Sequence, residues 1–269
     1  MLTTKKRVVV TAGLVLSLAT FGSKPSQAAT LAASNAAFFV GNFSYNSPDI
    51  ANYTNADADT YVSSTGGKVM ATAVPTAFAN STSAFNNSDS SATGESGNYF
   101  GTAKSLAEIG LYNFKIAKDT TFSFDFDGVL NLLTSIDSSP HETANANGNI
   151  KFEVVNQANG EVLDYLYLFG NISTVDNNDF LNGYSSASLT FDPNSTIFDR
   201  NFGGMQEYAS AIFRGTYSRT FTEDTVLSIR ESKFNQVTVQ VPEPLSCGGM
   251  LVAGLMGLWI KRKQKLEHE

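Results

Sequence analysis

LYNFKIAKDTTFSFDFDGVLNLL, residues 111–133, alternates apolar and polar side chains along most of its length. Tyr112, Phe114 and Ile116 share one parity, and after a turn at Lys118–Asp119 the series continues with Phe122, Phe124, Phe126, Leu130 and Leu132. A side-chain period of two puts such residues on one face of a sheet, with Thr121, Ser123, Asp125 and Asp127 on the other. The same period recurs through the chain, and helical periodicity hardly at all.

IKFEVV (150–155) and EVLDYLYLF (161–169) flank NQANG, whose Asn159-Gly160 suits a tight turn needing positive φ. AAFFVGNFSY (36–45), KVMATAV (68–74), SASLTF (186–191), YASAIF (208–213), TYSRTF (216–221), TVLSIR (225–230) and QVTVQV (236–241) read as further short strands between Asp, Asn, Gly and Pro. This pattern predicts an all-β ectodomain over residues 29–240, an antiparallel β-sandwich or jelly roll, in one domain without a linker. Residues 105–111 could make one helical turn. Residues 80–98 and 137–149 are nearly all small and polar and read as long mobile loops.

The chain carries a formal −7 from 18 basic and 25 acidic residues. Eight of the basic residues lie in the two ends, which leaves ten basic and 23 acidic residues, a formal −13, between Ala29 and Pro244. Such a surface argues against nucleic acid as a partner, since that affinity comes largely from neutralised phosphates. It leaves divalent cations open. The one cysteine, Cys247, falls in a C-terminal apolar segment, so disulfides cannot support the body. Stability must come from a core, for which 20 Phe and 10 Tyr supply the material.

The two ends read as addresses. Residues 1–28 have the parts of a signal peptide: a basic Lys5-Lys6-Arg7, an apolar run, and small residues before a cut between Ala28 and Ala29. At the other end Val241-Pro242-Glu243-Pro244 precedes an uncharged, Gly-rich transmembrane helix of 16 residues, 245–260. A basic cluster (261–265) of Lys261, Arg262, Lys263 and Lys265 follows, and residues 266–269 are a short tail. Positive charge beside an apolar span holds that side in the cytoplasm. The span is short for a permanent anchor, and the prolines keep the preceding peptide extended, as a processing enzyme requires.

Pro-Glu-Pro, a short apolar helix and a basic cluster, in that order, resemble the PEP-CTERM sorting signal of bacterial envelope proteins. The resemblance covers residues 241–265 and leaves the body unassigned. It implies processing by an exosortase near the Pro-Glu-Pro, after signal peptidase has acted at the other end. It further implies a membrane-anchored precursor released to the surface or matrix, in bacteria that make exopolysaccharide.

Candidate chemistry in the body is sparse. Asp125 and Asp127, at i and i+2, would stand about 6.5–7 Å apart on one face, near the spacing of an inverting glycosidase pair; the competing reading is a solvated outer face. Asp57 with Asp59, and Asp176 with Asp179, put oxygen ligands at short spacing in what read as loops, which suits calcium; Asx residues also form turns by default. No other cofactor is implied. His141 is the one histidine between the two ends and cannot make a zinc set alone. Asn42, Asn52, Asn80, Asn86, Asn171 and Asn194 form Asn-x-Ser/Thr sequons, for which chance in an Asn/Ser/Thr-rich chain suffices; the Ser/Thr-rich 80–98 segment could still carry bacterial glycans.

The expectation is an exported, non-enzymatic surface or matrix protein associated with exopolysaccharide or envelope components. The alternatives are a carbohydrate- or calcium-binding lectin-like module, with Tyr99 and Phe100 as sugar platforms, and a glycoside hydrolase.

Overall fold

The computed structural model describes residues 30–46, 49–62, 67–137, 141–175 and 178–241. Over these residues the chain is all β, with every strand pairing antiparallel, in two sheets. In chain order the strands are β1 (Thr30–Gly41), β2 (Asp49–Val62), β3 (Lys68–Ala79), β4 (Ser83–Ser96), β5 (Tyr99–Ile116), β6 (Thr120–Ser135) and β7 (Thr143–Asn156). β8 (Val162–Ser173), β9 (Phe180–Ser185), β10 (Leu189–Phe191), β11 (Ile197–Asn201), β12 (Gln206–Phe221) and β13 (Thr225–Val241) complete them. The first sheet runs β10-β12-β6-β1-β4-β3, with β11 also paired to β12, and the second runs β2-β5-β13-β7-β8-β9. The sheets pack face to face, as in a β-sandwich.

The aromatic parity of β6 builds one half of the core. Phe122, Phe124 and Phe126 are buried and meet rings of the opposite sheet: Phe114 lies 5.0 Å from Phe122, and Phe152 5.6 Å from Phe124. Phe38 of β1 joins them, 5.3 Å from Phe152. The half nearer the chain ends is built from small side chains, Ala32, Ala92, Ala103, Ala144 and Ala146, with Val237 and Val239. A buried polar layer lies between the sheets: Ser34, Asn86, Ser88, Ser90, Lys233 and Asn235. Farther along, Asp164 of β8 accepts from the Tyr217 hydroxyl and from Arg219, both at 2.9 Å on β12, which ties the two sheets at that end. Burial and the Asp164 charge push the Tyr217 hydroxyl far above its ordinary value.

The turn at Asn159-Gly160 is as expected, with Gly160 at φ +74° closing the β7–β8 hairpin. The turn at Lys118–Asp119 does something else. It carries the chain from one sheet to the other, so Phe114 and Phe122 face each other across the interface instead of sharing a sheet face. Within β5, Asn113 adopts φ +63° and the pairing with β13 shifts, placing two residues opposite Ser228. This bulge switches the parity. Tyr112 therefore points out while Leu111 and Phe114 are both buried.

Three expectations are corrected. The 80–98 segment is not a mobile loop. Its residues 83–96 form β4, an interior strand of the first sheet between β1 and β3. Alternation is present there, but written in small residues: Ala84, Asn86, Ser88, Ser90, Ala92 and Gly94 face inward. Ser88 donates to Ser105 O at 2.8 Å and Ser90 to Asn235 O at 3.2 Å, so burial leaves their hydroxyls satisfied. Residues 143–149, assigned to the second loop, begin β7, and residues 105–111 lie in β5, not in a helical turn. Asn86 is buried, which removes its sequon as an acceptor in the folded chain.

Phe152→Ala should cost about 3–5 kcal/mol through the cavity it leaves. Phe78→Ala, on the outer side of β3 with 60 % of its surface exposed, should stay within about 0.5 kcal/mol of the parent. Urea unfolding of the two variants checks the contrast.

Candidate functional site

The outer face of the second sheet gathers the polar and aromatic groups with most scope for binding. On β5 a glycine, Gly110, stands between Glu108 and Tyr112 on the outward parity. A Cβ there would lie 2.3 Å from the Tyr112 hydroxyl, so only glycine lets that ring fold across the strand. The result is a depression of about 340 Å³ lined by Tyr53, Glu108, Tyr112, Lys151, Glu153 and Arg230. Register explains the gathering. Tyr53, Glu108, Ser232 and Lys151 form one row across β2, β5, β13 and β7, and Gly110, Arg230 and Glu153 form the next.

Glu153 is almost fully buried beneath its partners. It accepts from the Tyr167 hydroxyl at 2.6 Å and pairs with Lys151 at 3.0 Å, and Lys151 in turn lies 5.8 Å over the Tyr167 ring. Burial, the hydrogen bond to Glu153 and its charge push the Tyr167 hydroxyl up to about 12.

An aromatic strip borders this depression along β8 and β9. Tyr165 and Tyr167 stack at 4.8 Å, Phe169 stacks with Tyr184 at 5.8 Å, and Phe180 meets Phe169 edge-on. Tyr184 is 58 % exposed. Asn171, beside the strip, takes a hydrogen bond from Asn145 at 3.1 Å. Ring surface beside amides and a few charges is suited to ligands with both apolar C–H faces and hydroxyl groups.

The residues singled out in the sequence fall elsewhere. Asp125 and Asp127 are on the outer side of β6, in the other sheet. Asp125 accepts from Asn42 at 2.8 Å, and Asp127 is ion-paired with Arg214. Their carboxylates are thus engaged in contacts on the outer surface of the first sheet. Asp57 and Asp59 are on strand β2, not in a loop, exposed and in register with Lys104 and Thr102. Asp179 accepts from the Ser173 N–H at 2.8 Å, which turns the chain into β9. Asp176 lies outside the described residues, as do Ala28, Ala29, Pro242, Glu243, Pro244, Lys261, Arg262, Lys263 and Lys265. Among the described residues no group of three or more potential metal-ligating side chains occurs.

His141 is exposed in a turn. Tyr99, expected as a sugar platform, is buried at 4 % exposure, because its parity faces the other sheet. The strip on β8–β9 was within reach of the same reasoning. EVLDYLYLF shows its tyrosines plainly, but nothing in one strand says which parity faces out.

Compared with protein-family models, characterised proteins and solved structures, the chain finds no match.

The raised value of Tyr167 makes a pH prediction. The folded state holds this proton more tightly than the unfolded chain, so the associated stability is present below pH 10 and lost as pH rises toward about 12. Tyr167→Phe should show a smaller loss across that window, read from denaturant midpoints.

Proposed function

We propose that this protein is an exported, non-enzymatic component of the cell surface or extracellular matrix, associated with polysaccharide. In this reading a signal peptide is removed after Ala28 and an exosortase processes the tail at Val241-Pro242-Glu243-Pro244. The tail's apolar helix holds the precursor in the membrane until then.

The observation that carries this reading is the meeting of both ends of the body at Tyr99. Its backbone pairs with Val241, the last residue of β13, and its hydroxyl donates to Thr30 Oγ1, at the start of β1, at 2.6 Å. Thr30 and Val241, the first and last described residues, therefore lie at one pole of the sandwich, which supports a body presented from a single membrane surface. The acidic, cysteine-free body supports an exported, non-nucleic-acid-binding role as well.

A second reading has its own observation. The aromatic strip of Tyr165, Tyr167, Phe169, Phe180 and Tyr184 favours a carbohydrate-binding, lectin-like surface on the second sheet. Calcium would belong to this reading as a bridging ion, with Asp57 and Asp59, exposed on one strand, its nearest candidates by sequence.

Peptide mapping and intact mass of the protein from its native envelope and medium test the first reading. The expected chain starts at Ala29, ends near Pro244 and is found in envelope or matrix fractions. A chain that keeps residues 245–269 and stays in the inner membrane would make the tail a plain anchor and overturn the processing. For the second, Tyr184→Ala should weaken retention on the immobilised native polysaccharide roughly tenfold, a change worth about 1.4 kcal/mol. Equal retention of parent and variant would refute it.

A further inference from the structure

Lys233 has no surface exposed to solvent. It stands on the inward parity of β13, in the series Leu227, Ile229, Glu231, Lys233, Asn235, Val237, where a charge is unexpected. Its side chain crosses the interface between the sheets. Nζ donates to Asn86 Oδ1 on β4, in the first sheet, and to Glu231 Oε1 on its own strand. The Phe38 ring centre lies 5.5 Å from Nζ. Asn86 is itself buried, and its Nδ2 donates to Ala107 O at 3.3 Å. The second carboxyl oxygen of Glu231 is buried without a hydrogen-bond partner. Asn235, the other buried amide nearby, is already engaged: it accepts from Ser34 at 2.6 Å and donates to Ser88 O.

An ion pair in this setting is costly, because both groups are buried away from solvent. Burial pushes Lys233 down to about 8 even against the attraction of Glu231, and burial pushes Glu231 up. Both shifts narrow the gap to the neutral pair, an amine beside a protonated carboxyl, which is the reactive form. A neutral amine is a nucleophile, and a desolvated carboxyl that can take and return a proton is a general acid–base group. The amine is held against a carboxamide, with no surface open to solvent.

We propose that Lys233 and Asn86 join in an intramolecular isopeptide bond, with Glu231 moving the protons. Nζ attacks Asn86 Cγ. Glu231 takes a proton from Nζ and supplies one to Nδ2, the Cγ–Nδ2 bond breaks, and ammonia leaves. The product is a secondary amide between the two side chains. Glu231 ends protonated as it began, and no oxidant or reductant takes part. The amide removes the buried amine charge and links positions 147 residues apart in the chain, one in each sheet. A body without cysteine thus acquires a covalent tie that reducing agents do not open.

Mass spectrometry of the purified full chain after trypsin digestion tests this directly, since trypsin does not cut after an acylated lysine. The expected species is a branched peptide joining the segments that hold Asn86 and Lys233, lighter by about 17 Da, one ammonia, than the two together. On a denaturing gel the linked chain should run ahead of the unlinked one. Glu231→Gln, close in shape to the parent residue, should fold to the same β-sheet circular dichroism yet give only separate peptides. Asn86→Ala should also remove the branched species. Recovery of the wild-type Lys233 peptide unlinked with Asn86 intact would overturn the proposal. So would Asn86 found converted to aspartate without a branch, or a Glu231→Gln protein that links as fully as the parent. None of these outcomes depends on where the protein is exported or how its tail is processed.

Discussion

Phe152 of the second sheet lies against Phe38 and Phe124 of the first, with ring centres 5.3 and 5.6 Å away. The rest of the architecture depends on this inter-sheet contact. Each sheet holds itself together by backbone pairing, but nothing in that pairing holds one sheet to the other. The body has neither a disulfide nor, among the described residues, a helix to cover an open face. Removing the inner aromatic surfaces from water is therefore the main force that closes the sandwich, at about 25 cal/mol for each Å² of apolar area buried. Phe114, Phe122 and Tyr217 extend the same packing toward one end.

The other half solves the problem with small residues. Alanine, serine and glycine bring less apolar area per residue, and their backbones can approach closely. Gly148 shows the limit: a Cβ there would fall 2.3 Å from Asn235 Oδ1 and 2.7 Å from Ser34 Oγ. Polar groups admitted to such an interior must find partners within it, since an unsatisfied one costs about 1–3 kcal/mol. Ser34, Ser88, Ser90 and Asn235 do so through one connected set of bonds between β1, β4, β5, β7 and β13. Lys233 belongs to the same layer but brings a charge, and that is where the interior's chemistry departs from simple packing.

With the interior assigned, the outer faces divide the remaining chemistry. Asp125 and Asp127, conspicuous in sequence, serve the outer surface of the first sheet through Asn42 and Arg214. The second sheet collects tyrosines, a depression over Gly110 and a Glu153 held by Lys151 and Tyr167. The two poles differ as well. Both ends of the folded body meet at Tyr99, whereas the Asp164–Tyr217–Arg219 tie lies at the other pole.

Local pattern alone carried the all-β class, the inward parity of Phe122, Phe124 and Phe126, and the Asn159-Gly160 turn, because a period of two and a demand for positive φ are written within a few residues. The parity of β4 was equally present, yet illegible as a strand. Serine and asparagine read as loop residues until their partners, Ser105, Ala107 and Asn235, are brought from distant strands. Pairing also decided what no single strand can state: that the turn at Lys118–Asp119 changes sheets, that the bulge at Asn113 turns Tyr112 outward, and that Tyr99 faces in while Tyr184 faces out. The sequence by itself determined that most segments extend, though not β2 or β4, and where the Asn159-Gly160 turn falls. Only the tertiary structure decided which face of each strand is interior, and with it the meeting of Lys233, Glu231 and Asn86, because burial is a property of what packs on a strand from elsewhere in the chain.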